Sequence, residues 1–332
     1  MKQLFALLLA LLTFTSSLSA DLLLQAEGFS DTGGWVVDAQ FMDQIGSPYL
    51  LAHGLGKPVK DVVTTFENTK SGKFRLWVRT KNWTARWKVP GAPGRYQVLF
   101  NGEAVKETFG TKGETWHWHD GGVVALPKGK VEVRLKDLAG FAGRCDAIWL
   151  SEDLEATPKE NLSFQRKMPI EGPDDKAQAK DMGKYDLVVV GGGIAGMCAS
   201  IRAAEEGLKV ALIQNRPVLG GNNSSEIRVP LAGKTALPPY PKLGSVVEEL
   251  NKANDVQKLV RIDVEENIDL FLEHHMNAVQ KEGERIKYVY AQHVRTGERK
   301  RFETDFFADC TGDATLGYLV GADYRMGRES RS

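Results

Sequence analysis

Cysteine is scarce in this sequence of 332 residues, and neither sign of charge is in excess. Cys145, Cys198 and Cys310 are odd in number and far apart, so they form no disulfide framework and no CxxC metal site. We expect them to be small buried side chains. Basic and acidic residues both number 43, whereas nucleic-acid-binding proteins carry a basic excess. The composition therefore argues against a nucleic-acid partner.

Long hydrophobic runs are also missing. The apolar stretch Leu4–Phe14 has eleven residues, fewer than the roughly 20 that a membrane-spanning helix needs. Lys2 precedes this stretch, and small residues ending at Ala20 follow it. This order is typical of a secretory signal peptide. Residues 1–20 are thus predicted to direct the protein out of the cytoplasm, to the periplasm or the medium, without a stable membrane anchor.

Tryptophan is absent after residue 150, which separates the two halves of the chain. Across residues 21–151 apolar and polar residues alternate, as in Phe74–Arg79, and such alternation is typical of half-buried antiparallel strands. Asn101 and Gly102 follow one such strand and indicate a tight type I′ hairpin turn. Short strands joined by glycine- and proline-containing turns predict a β-sandwich.

The rest of the chain divides into a linker and a second domain. Residues 152–184 are charged, contain Pro158, Pro169 and Pro173, and show little periodicity, which predicts a linker. A short apolar strand, a glycine-rich turn, a helix to about Glu206 and another strand follow. Because this order is typical of parallel sheets, residues 185–332 are predicted to form an α/β domain.

A GxGxxG pattern, Gly191, Gly193 and Gly196, stands between the first strand and the helix of this domain. In this context the first glycine permits a tight turn, the second lets a pyrophosphate approach the backbone, and the third allows close packing of helix on strand. The N–H groups of Ile194 and Ala195 open the helix, whose N-terminus attracts phosphate. The pattern predicts a dinucleotide-binding Rossmann domain.

An acidic residue normally ends the second strand of such a domain and binds the ribose hydroxyls. Gln214 and Asn215 stand at that place here. An amide can hydrogen-bond a hydroxyl, but without the charge assistance of a carboxylate. We therefore expect a weaker ribose contact at this position.

Two further motifs follow the glycine pattern in order, namely Leu219-Gly220-Gly221-Asn222 and Thr311-Gly312-Asp313. With them, residues 185–332 resemble FAD-dependent oxidoreductases of the glutathione-reductase type. The resemblance is strongest to secreted bacterial members with a β-sandwich in front, and extends distantly to the flavin subunit of heterodisulfide reductase. It implies an FAD site formed by Gly191, Gly193, Ile194, Ala195, Gly196, Gln214, Asn215, Arg216, Gly220, Gly221, Asn222, Thr311, Gly312 and Asp313.

The same resemblance limits what this chain is expected to contain. Members of the family continue into a substrate region and a Gly-Asp motif at the ribityl chain of the flavin, so we expect a truncated chain with the ADP-binding half of the site. No catalytic residue is assigned, and His274 and His275 are expected to lie at a solvated strand end. Some relatives bind a [4Fe–4S] cluster through four thiolates, which three scattered cysteines do not support.

The N-terminal region more loosely resembles the galactose-binding-like sandwich of carbohydrate-binding modules. The segments Gln25–Glu27, Phe74–Arg79 and Cys145–Leu150 carry this resemblance. It implies a structural calcium ion held by Glu27 and Asp146, because hard oxygen ligands suit calcium. The alternative is that these two residues are ordinary surface carboxylates.

The role of the tryptophans in this region has two interpretations. Exposed rings could stack on sugars, and the candidates for this role are Trp83, Trp87, Trp116 and Trp118. The alternative is that most of these rings belong to the core, where large aromatic side chains are common.

The expected architecture is an all-β galactose-binding-like sandwich followed by a partial α/β FAD-binding Rossmann domain. The first function it indicates is that of an FAD-dependent oxidoreductase with a small-molecule or sugar-related substrate. The second is a non-catalytic extracellular carbohydrate-binding protein with a vestigial Rossmann half. A polysaccharide lyase or hydrolase ranks last, because we find no paired carboxylates at a recognisable spacing.

Overall fold

The computed structural model describes residues 21–159, 179–235, 237–239, 244–325 and 327. The predicted signal peptide, residues 1–20, lies outside the described residues. None of the helices in the described part of the chain has the length and apolar character needed to cross a membrane. The described residues form a β-sandwich followed by an α/β domain of the Rossmann type.

The sandwich consists of two antiparallel sheets. Its elements are β1 (Leu22–Gln25), β2 (Trp35–Asp38), α1 (Met42–Ile45), β3 (Tyr49–His53), β4 (Val62–Asn68), β5 (Gly72–Thr80), β6 (Tyr96–Phe100), β7 (Glu103–Ala104), β8 (His117–Leu126), β9 (Gly129–Asp137) and β10 (Phe141–Ser151). One sheet has the order β2-β3-β10-β5-β8, with β1 also paired to β10, and the other has the order β4-β9-β6-β7.

Alternation along the strands builds the core between these sheets. Phe74, Leu76 and Val78 of β5 join one buried cluster with Val131 and Val133 of β9, so each strand turns every second residue inward.

The predicted hairpin turn is confirmed. Asn101 and Gly102 have positive φ angles of 49° and 85°, and they connect the paired strands β6 and β7. Positive φ at both central residues is what a type I′ turn requires.

The predicted linker is corrected at both of its ends. The indole N–H groups of Trp77 and Trp118 donate to the carbonyl oxygens of Ala156 (3.1 Å) and Lys159 (3.2 Å), so the first residues after Ser151 pack back on the sandwich. At the other end, β11 (Lys180–Lys184) is a strand. Its sequence shows no alternation because it is the edge strand of its sheet, where backbone pairing with Arg299–Glu303, and not burial, holds it in place.

The α/β domain has two four-stranded sheets. Its further elements are β12 (Leu187–Val190), α2 (Ile194–Glu205), β13 (Val210–Ile213), α3 (Ser245–Lys252), α4 (Asp255–Asp263), β14 (Ile268–Phe271), β15 (His274–Glu282), β16 (Arg285–His293), β17 (Arg299–Glu303), β18 (Phe307–Asp309) and α5 (Thr315–Leu319). The parallel sheet has the order β14-β13-β12-β18, and the other sheet has the order β11-β17-β16-β15.

Both faces of the parallel sheet are covered. Val189 and Leu212 pack in one cluster with Met197 and Ile201 of α2. Val188, the neighbour of Val189, points to the opposite face and joins the cluster formed with β16 and β17. Because both faces of this strand are buried, its side chains are all apolar, and Leu187–Val190 therefore shows no alternation.

Candidate dinucleotide-binding site

Three loops leave the same edge of the parallel sheet. The first glycine loop (Gly191–Gly196) follows β12, the second glycine loop (Arg216–Asn222) follows β13, and the threonine loop (Cys310–Asp313) follows β18. Since β12 lies between β13 and β18, the first glycine loop is central. Open α/β sheets bind their ligands at this edge, outside the carboxyl ends of the strands.

Sterics inside the protein require glycine at two positions of the first glycine loop. Gly191 has a φ of 106°, and a Cβ built there would lie 2.3 Å from the carbonyl oxygen of Cys310. A Cβ at Gly196 would lie 1.8 Å from the carbonyl oxygen of Gly191 and 3.2 Å from Cγ1 of Val189. These two glycines perform the predicted structural roles, the tight turn and the close packing of α2 on β12.

Gly193 differs from its neighbours because the protein itself leaves room there. The nearest atom to a Cβ at Gly193 would be Cα of Gly221, at 3.9 Å, and the backbone angles of −69° and 178° suit any residue. A Cβ at Gly192, by contrast, would lie 2.7 Å from Cδ2 of Leu219. Sequence reasoning missed Gly192, because the GxGxxG pattern leaves that position open.

Helix α2 begins directly at the first glycine loop. Gly193 is its N-cap residue and has no side chain to cap it, so the N–H groups of the first turn are not claimed by a capping side chain. With twelve residues, α2 carries a partial positive charge at this end. Ile194 and Ala195 therefore present backbone donors to the space above Gly193.

Gln214 points inward instead of toward a ribose, which corrects the expectation. Its Oε1 accepts a hydrogen bond from the Gly192 N–H (2.9 Å), and its Nε2 donates to the carbonyl oxygen of Val218 (3.0 Å). Both ends of the buried amide are thus used within the protein. Gln214 ties the two glycine loops together, and the half-buried Asn215 remains as the ribose candidate.

The two glycine loops meet backbone to backbone. Gly220 donates its N–H to the carbonyl oxygen of Gly192 (2.8 Å), and Gly193 forms an isolated bridge with Gly220. A Cβ at Gly221 would lie 3.1 Å from Cα of Gly193. The structure therefore places together the two motifs that the sequence separates by 24 residues, Gly196 to Gly220.

Asp309 organises the threonine loop. Its Oδ1 accepts from the hydroxyl of Thr311 (2.7 Å), and its Oδ2 accepts from the N–H of Gly317 (3.0 Å). The Thr311 hydroxyl in turn accepts from the N–H of Thr315 (2.9 Å), whereas Asp313 is exposed. Sequence reasoning missed Asp309, which has no place in the Thr-Gly-Asp motif.

Lys258 of α4 is buried beneath the second glycine loop. Its ammonium donates to the carbonyl oxygen of Asn223 (2.8 Å), and a Cβ at Gly220 would lie 3.0 Å from its Nζ. Burial lowers the pKa of Lys258, while nearby Asp255 raises it. Lys258 also lines a cleft of about 630 Å³ together with Asn223 and Ser224. The sequence contains no signal for this lysine.

His274 and His275 are buried, which corrects the expected solvated strand end. Nδ1 of His274 lies 2.6 Å from the carbonyl oxygen of Leu272, and Nε2 lies 3.1 Å from Nζ of Lys300. Burial lowers the pKa of His274, and Lys300 and His293 lower it further, against the hydrogen bond to Leu272, which raises it. The contacts of His274 are those of a packed structural residue.

The four candidate tryptophans of the sandwich divide into two pairs. Trp116 and Trp118 are only 8% and 9% exposed, so their burial removes them from any sugar-stacking surface. Trp87 is 60% exposed, and Trp83 lies next to it with a centroid separation of 6.3 Å. Phe141, which is also exposed, stacks on Trp83 at 5.6 Å. We call Trp83, Trp87 and Phe141 the aromatic surface.

The two residues proposed for calcium, Glu27 and Asp146, are both buried, and the calcium ion itself stays a prediction. Asp146 is buried, and its Oδ2 lies 3.4 Å from the guanidinium of Arg79 while its Oδ1 accepts from the hydroxyl of Ser47 (2.8 Å). Calcium takes six to eight oxygen ligands. Among the described residues no group of three His, Cys, Asp or Glu side chains could hold a metal ion. A buried arginine lies beside Asp146, and Glu27 is buried in the same module.

The site geometry agrees with the comparison with protein families. Residues 186–332 match the FAD dependent oxidoreductase family. This result supports the resemblance for the C-terminal part of the chain.

Curated relatives match over short segments. A dihydrolipoamide dehydrogenase of Chaetomium thermophilum is 56% identical over 36 residues, which cover 11% of this chain and 7% of that protein. A soluble pyridine nucleotide transhydrogenase of Ectopseudomonas mendocina is 55% identical over 38 residues, 11% of this chain and 8% of that protein. An NADH:fumarate oxidoreductase of Klebsiella pneumoniae is 37% identical over 68 residues, which cover 20% of this chain and 7% of that protein. The matched segments thus span less than a tenth of these relatives.

Among solved structures, a family 35 carbohydrate binding module from Clostridium thermocellum is similar over 40% of this chain and 97% of its own, with 20% identity and a TM-score of 0.31. An L-proline dehydrogenase from P. horikoshii is similar over 40% of this chain and 23% of its own, with 23% identity and a TM-score of 0.26.

Proposed function

We propose that the α/β domain binds FAD and that this chain carries the ADP-binding half of the cofactor site of an FAD-dependent oxidoreductase. The open space above Gly193 carries this proposal. Two glycine loops and the N-terminus of α2 converge there, and a Cβ would fit with no protein atom closer than 3.9 Å, yet the residue is glycine. A pyrophosphate that lies against the backbone explains why a side chain is excluded at Gly193.

The chain's own residues divide the work of holding such a cofactor. Ile194 and Ala195 offer N–H donors to the phosphates, and the partial positive charge of α2 favours the anion. Asn215 is the proposed ribose contact, and Gln214 fixes the first glycine loop from below. When bound, FAD supplies the redox chemistry, as a carrier of hydride or single electrons.

Substitution of Gly193 tests the proposal, because the protein alone tolerates a side chain there. We expect Gly193→Val to abolish retention of flavin in the purified protein, and Gly193→Ala to weaken it by about tenfold, the equivalent of about 1.4 kcal/mol. The apoprotein of Gly193→Ala is expected to melt like the wild type, since a Cβ at this position has no contact closer than 3.9 Å.

A matched control comes from the sandwich. Gly28 has no atom within 4 Å of its Cβ position, so Gly28→Ala is expected to change neither melting nor flavin content. Yellow, flavin-loaded Gly193→Val protein with unchanged affinity would show that the space above Gly193 is not the pyrophosphate site.

A second function, carbohydrate binding, is proposed for the sandwich on the strength of the aromatic surface. The exposed rings of Trp87 and Phe141 flank the half-buried ring of Trp83, and such an apolar patch is of the kind that marks an interaction site. Arg144 lies 5.6 Å from the centroid of Trp83, which adds a polar group beside the rings. A sugar-related substrate of the oxidoreductase would be consistent with this surface.

A further inference from the structure

Arg216 of the second glycine loop reaches a carboxylate of the sandwich. Its Nη1 lies 3.2 Å from Oε2 of Glu226 and 3.7 Å from Oδ2 of Asp38. Glu226 follows the second glycine loop in the chain, whereas Asp38 ends strand β2 of the sandwich. One guanidinium thus lies between two carboxylates that come from different modules.

Asp38 is held rigidly in this position. Only 3% of its side chain is exposed, and its Oδ1 accepts a hydrogen bond from the N–H of Gln40 (2.7 Å). Its backbone pairs with Tyr49 of β3, a fully buried residue. A buried carboxylate needs a partner of opposite charge, and the second oxygen of Asp38 lies near Arg216.

An apolar contact supports the ionic one. Val294, just after β16, is 2% exposed and belongs to the main hydrophobic cluster of the sandwich. Its N–H donates to the carbonyl oxygen of Glu273 (2.7 Å), and the N–H of Glu273 donates to the carbonyl oxygen of Arg216 (3.2 Å). Both contacts with the sandwich therefore lead through short backbone links to the same loop residue.

Two carboxylates, those of Glu226 and Asp38, face the single positive charge of Arg216. Burial raises the pKa of Glu226, Arg216 lowers it, and Asp38 raises it. Two carboxylates share one guanidinium, so removal of the Asp38 charge leaves a single strong pair, Arg216 with Glu226. We expect such a change to shift the arginine toward Glu226 without removing it.

We propose that the sandwich docks on the α/β domain through Asp38, Arg216 and Val294, and that this docking holds the second glycine loop in the shape that receives the cofactor. Asp38 and Glu226 are positioning residues. The inference rests on the proposed FAD function. Because free energies of coupled sites are reciprocal, cofactor binding should tighten the docking by the factor by which docking tightens cofactor binding.

The test uses the full chain and the variant Asp38→Asn, which keeps the acceptor for Gln40 and removes the charge that faces Arg216. We expect its FAD dissociation constant to rise by about fivefold, at the low end of the usual coupling between sites. In the apoprotein, hydrogen exchange should accelerate at the amides of residues 36–40 and 293–297. The matched control is Glu132→Gln, which breaks the ion pair of Glu132 with Arg134 inside the sandwich and should change neither quantity.

A double-mutant cycle measures the coupling between two residues, a quantity that a general loss of stability would not change. The effects of Asp38→Asn and Arg216→Gln on the FAD dissociation constant should be non-additive, because both remove the same contact. Additive effects, or faster exchange with unchanged FAD affinity, would overturn the loop-positioning role. Unchanged exchange in Asp38→Asn would overturn the docking itself. If the wild type binds no FAD, the proposed function fails, while the exchange of the apoprotein still decides the docking.

Discussion

The two modules encode their candidate sites in opposite ways. In the α/β domain the site is made of backbone, and its signature is the absence of side chains at Gly191, Gly193 and Gly196. In the sandwich the candidate surface is made of large side chains, and the same residue type also fills the core, as Trp116 and Trp87 show. A Cβ either fits or does not, so a glycine motif can be judged from local geometry. A tryptophan can be judged only from the assembled fold.

The largest effect is expected where a tryptophan belongs to the core. Trp116 packs against Tyr49 and Phe41 with centroid separations of 4.9 Å and 5.9 Å. Trp116→Ala should lower the free energy of unfolding of the full chain by about 3–5 kcal/mol, because the cavity adds to the lost burial. Urea unfolding followed by tryptophan fluorescence measures this loss. A loss below about 1 kcal/mol would place Trp116 on the surface.

The next effect concerns Gly196, where the packing of α2 on β12 leaves no room for a side chain. Gly196→Ala puts a methyl group 1.8 Å from the carbonyl oxygen of Gly191, so α2 must shift away from β12. The expected cost is about 1–3 kcal/mol of stability, typical of overpacking. Gly193→Ala, three residues earlier on the same loop, serves as the control with no expected cost. Equal melting temperatures for the two variants would refute the division of roles between these glycines.

A smaller effect concerns the pH dependence of the stability of the α/β domain. The folded state lowers the pKa of His274, so below the usual histidine pKa of about 6.5 the unfolded chain binds more protons. Stability should therefore be complete above this pH and fall as the pH drops through it. His274→Gln should flatten the fall, whereas His53→Gln at the exposed end of β3 should not. Melting curves between pH 5 and 8 in both variants test the sign, which a steeper fall in His274→Gln would contradict.

Local signals predicted much of both modules. The glycine loops, the order of strands and helix, and the Asn101-Gly102 turn all depend on backbone conformations within a few residues. The contacts that sequence reasoning missed join distant segments: Lys258 reaches Asn223 from another helix, and Arg216 reaches Asp38 from another module. The spacing of residues in the sequence does not predict such pairs, since a single lysine or arginine is usually solvated.

Gln214 shows a different limit. The end of the second strand predicted Gln214 as a ribose contact, but its amide brings a donor that a carboxylate lacks. That donor finds the carbonyl oxygen of Val218 and turns the side chain into the protein. The exchange of one functional group thus changed the expected role at an unchanged position.

The smallest effect on stability is expected for Trp87, the exposed tryptophan of the aromatic surface. Trp87 is 60% exposed, and Arg86 lies 5.1 Å from the centroid of its ring. Trp87→Ala should change the free energy of unfolding by no more than about 0.5 kcal/mol, as is usual for surface substitutions.

If the aromatic surface binds carbohydrate, the same substitution should abolish retention of the full chain on polysaccharides that retain the wild type, because a stacking ring supplies both area and orientation. Phe141→Ala should weaken retention as well, since Phe141 stacks on Trp83. The pair Trp87→Ala and Trp116→Ala then gives opposite results in two assays, one losing binding and the other stability. If the wild type is retained by no polysaccharide, or if Trp87→Ala is retained as well as the wild type, the aromatic surface is not a sugar platform. The exposed rings of the sandwich would then have no part in substrate capture.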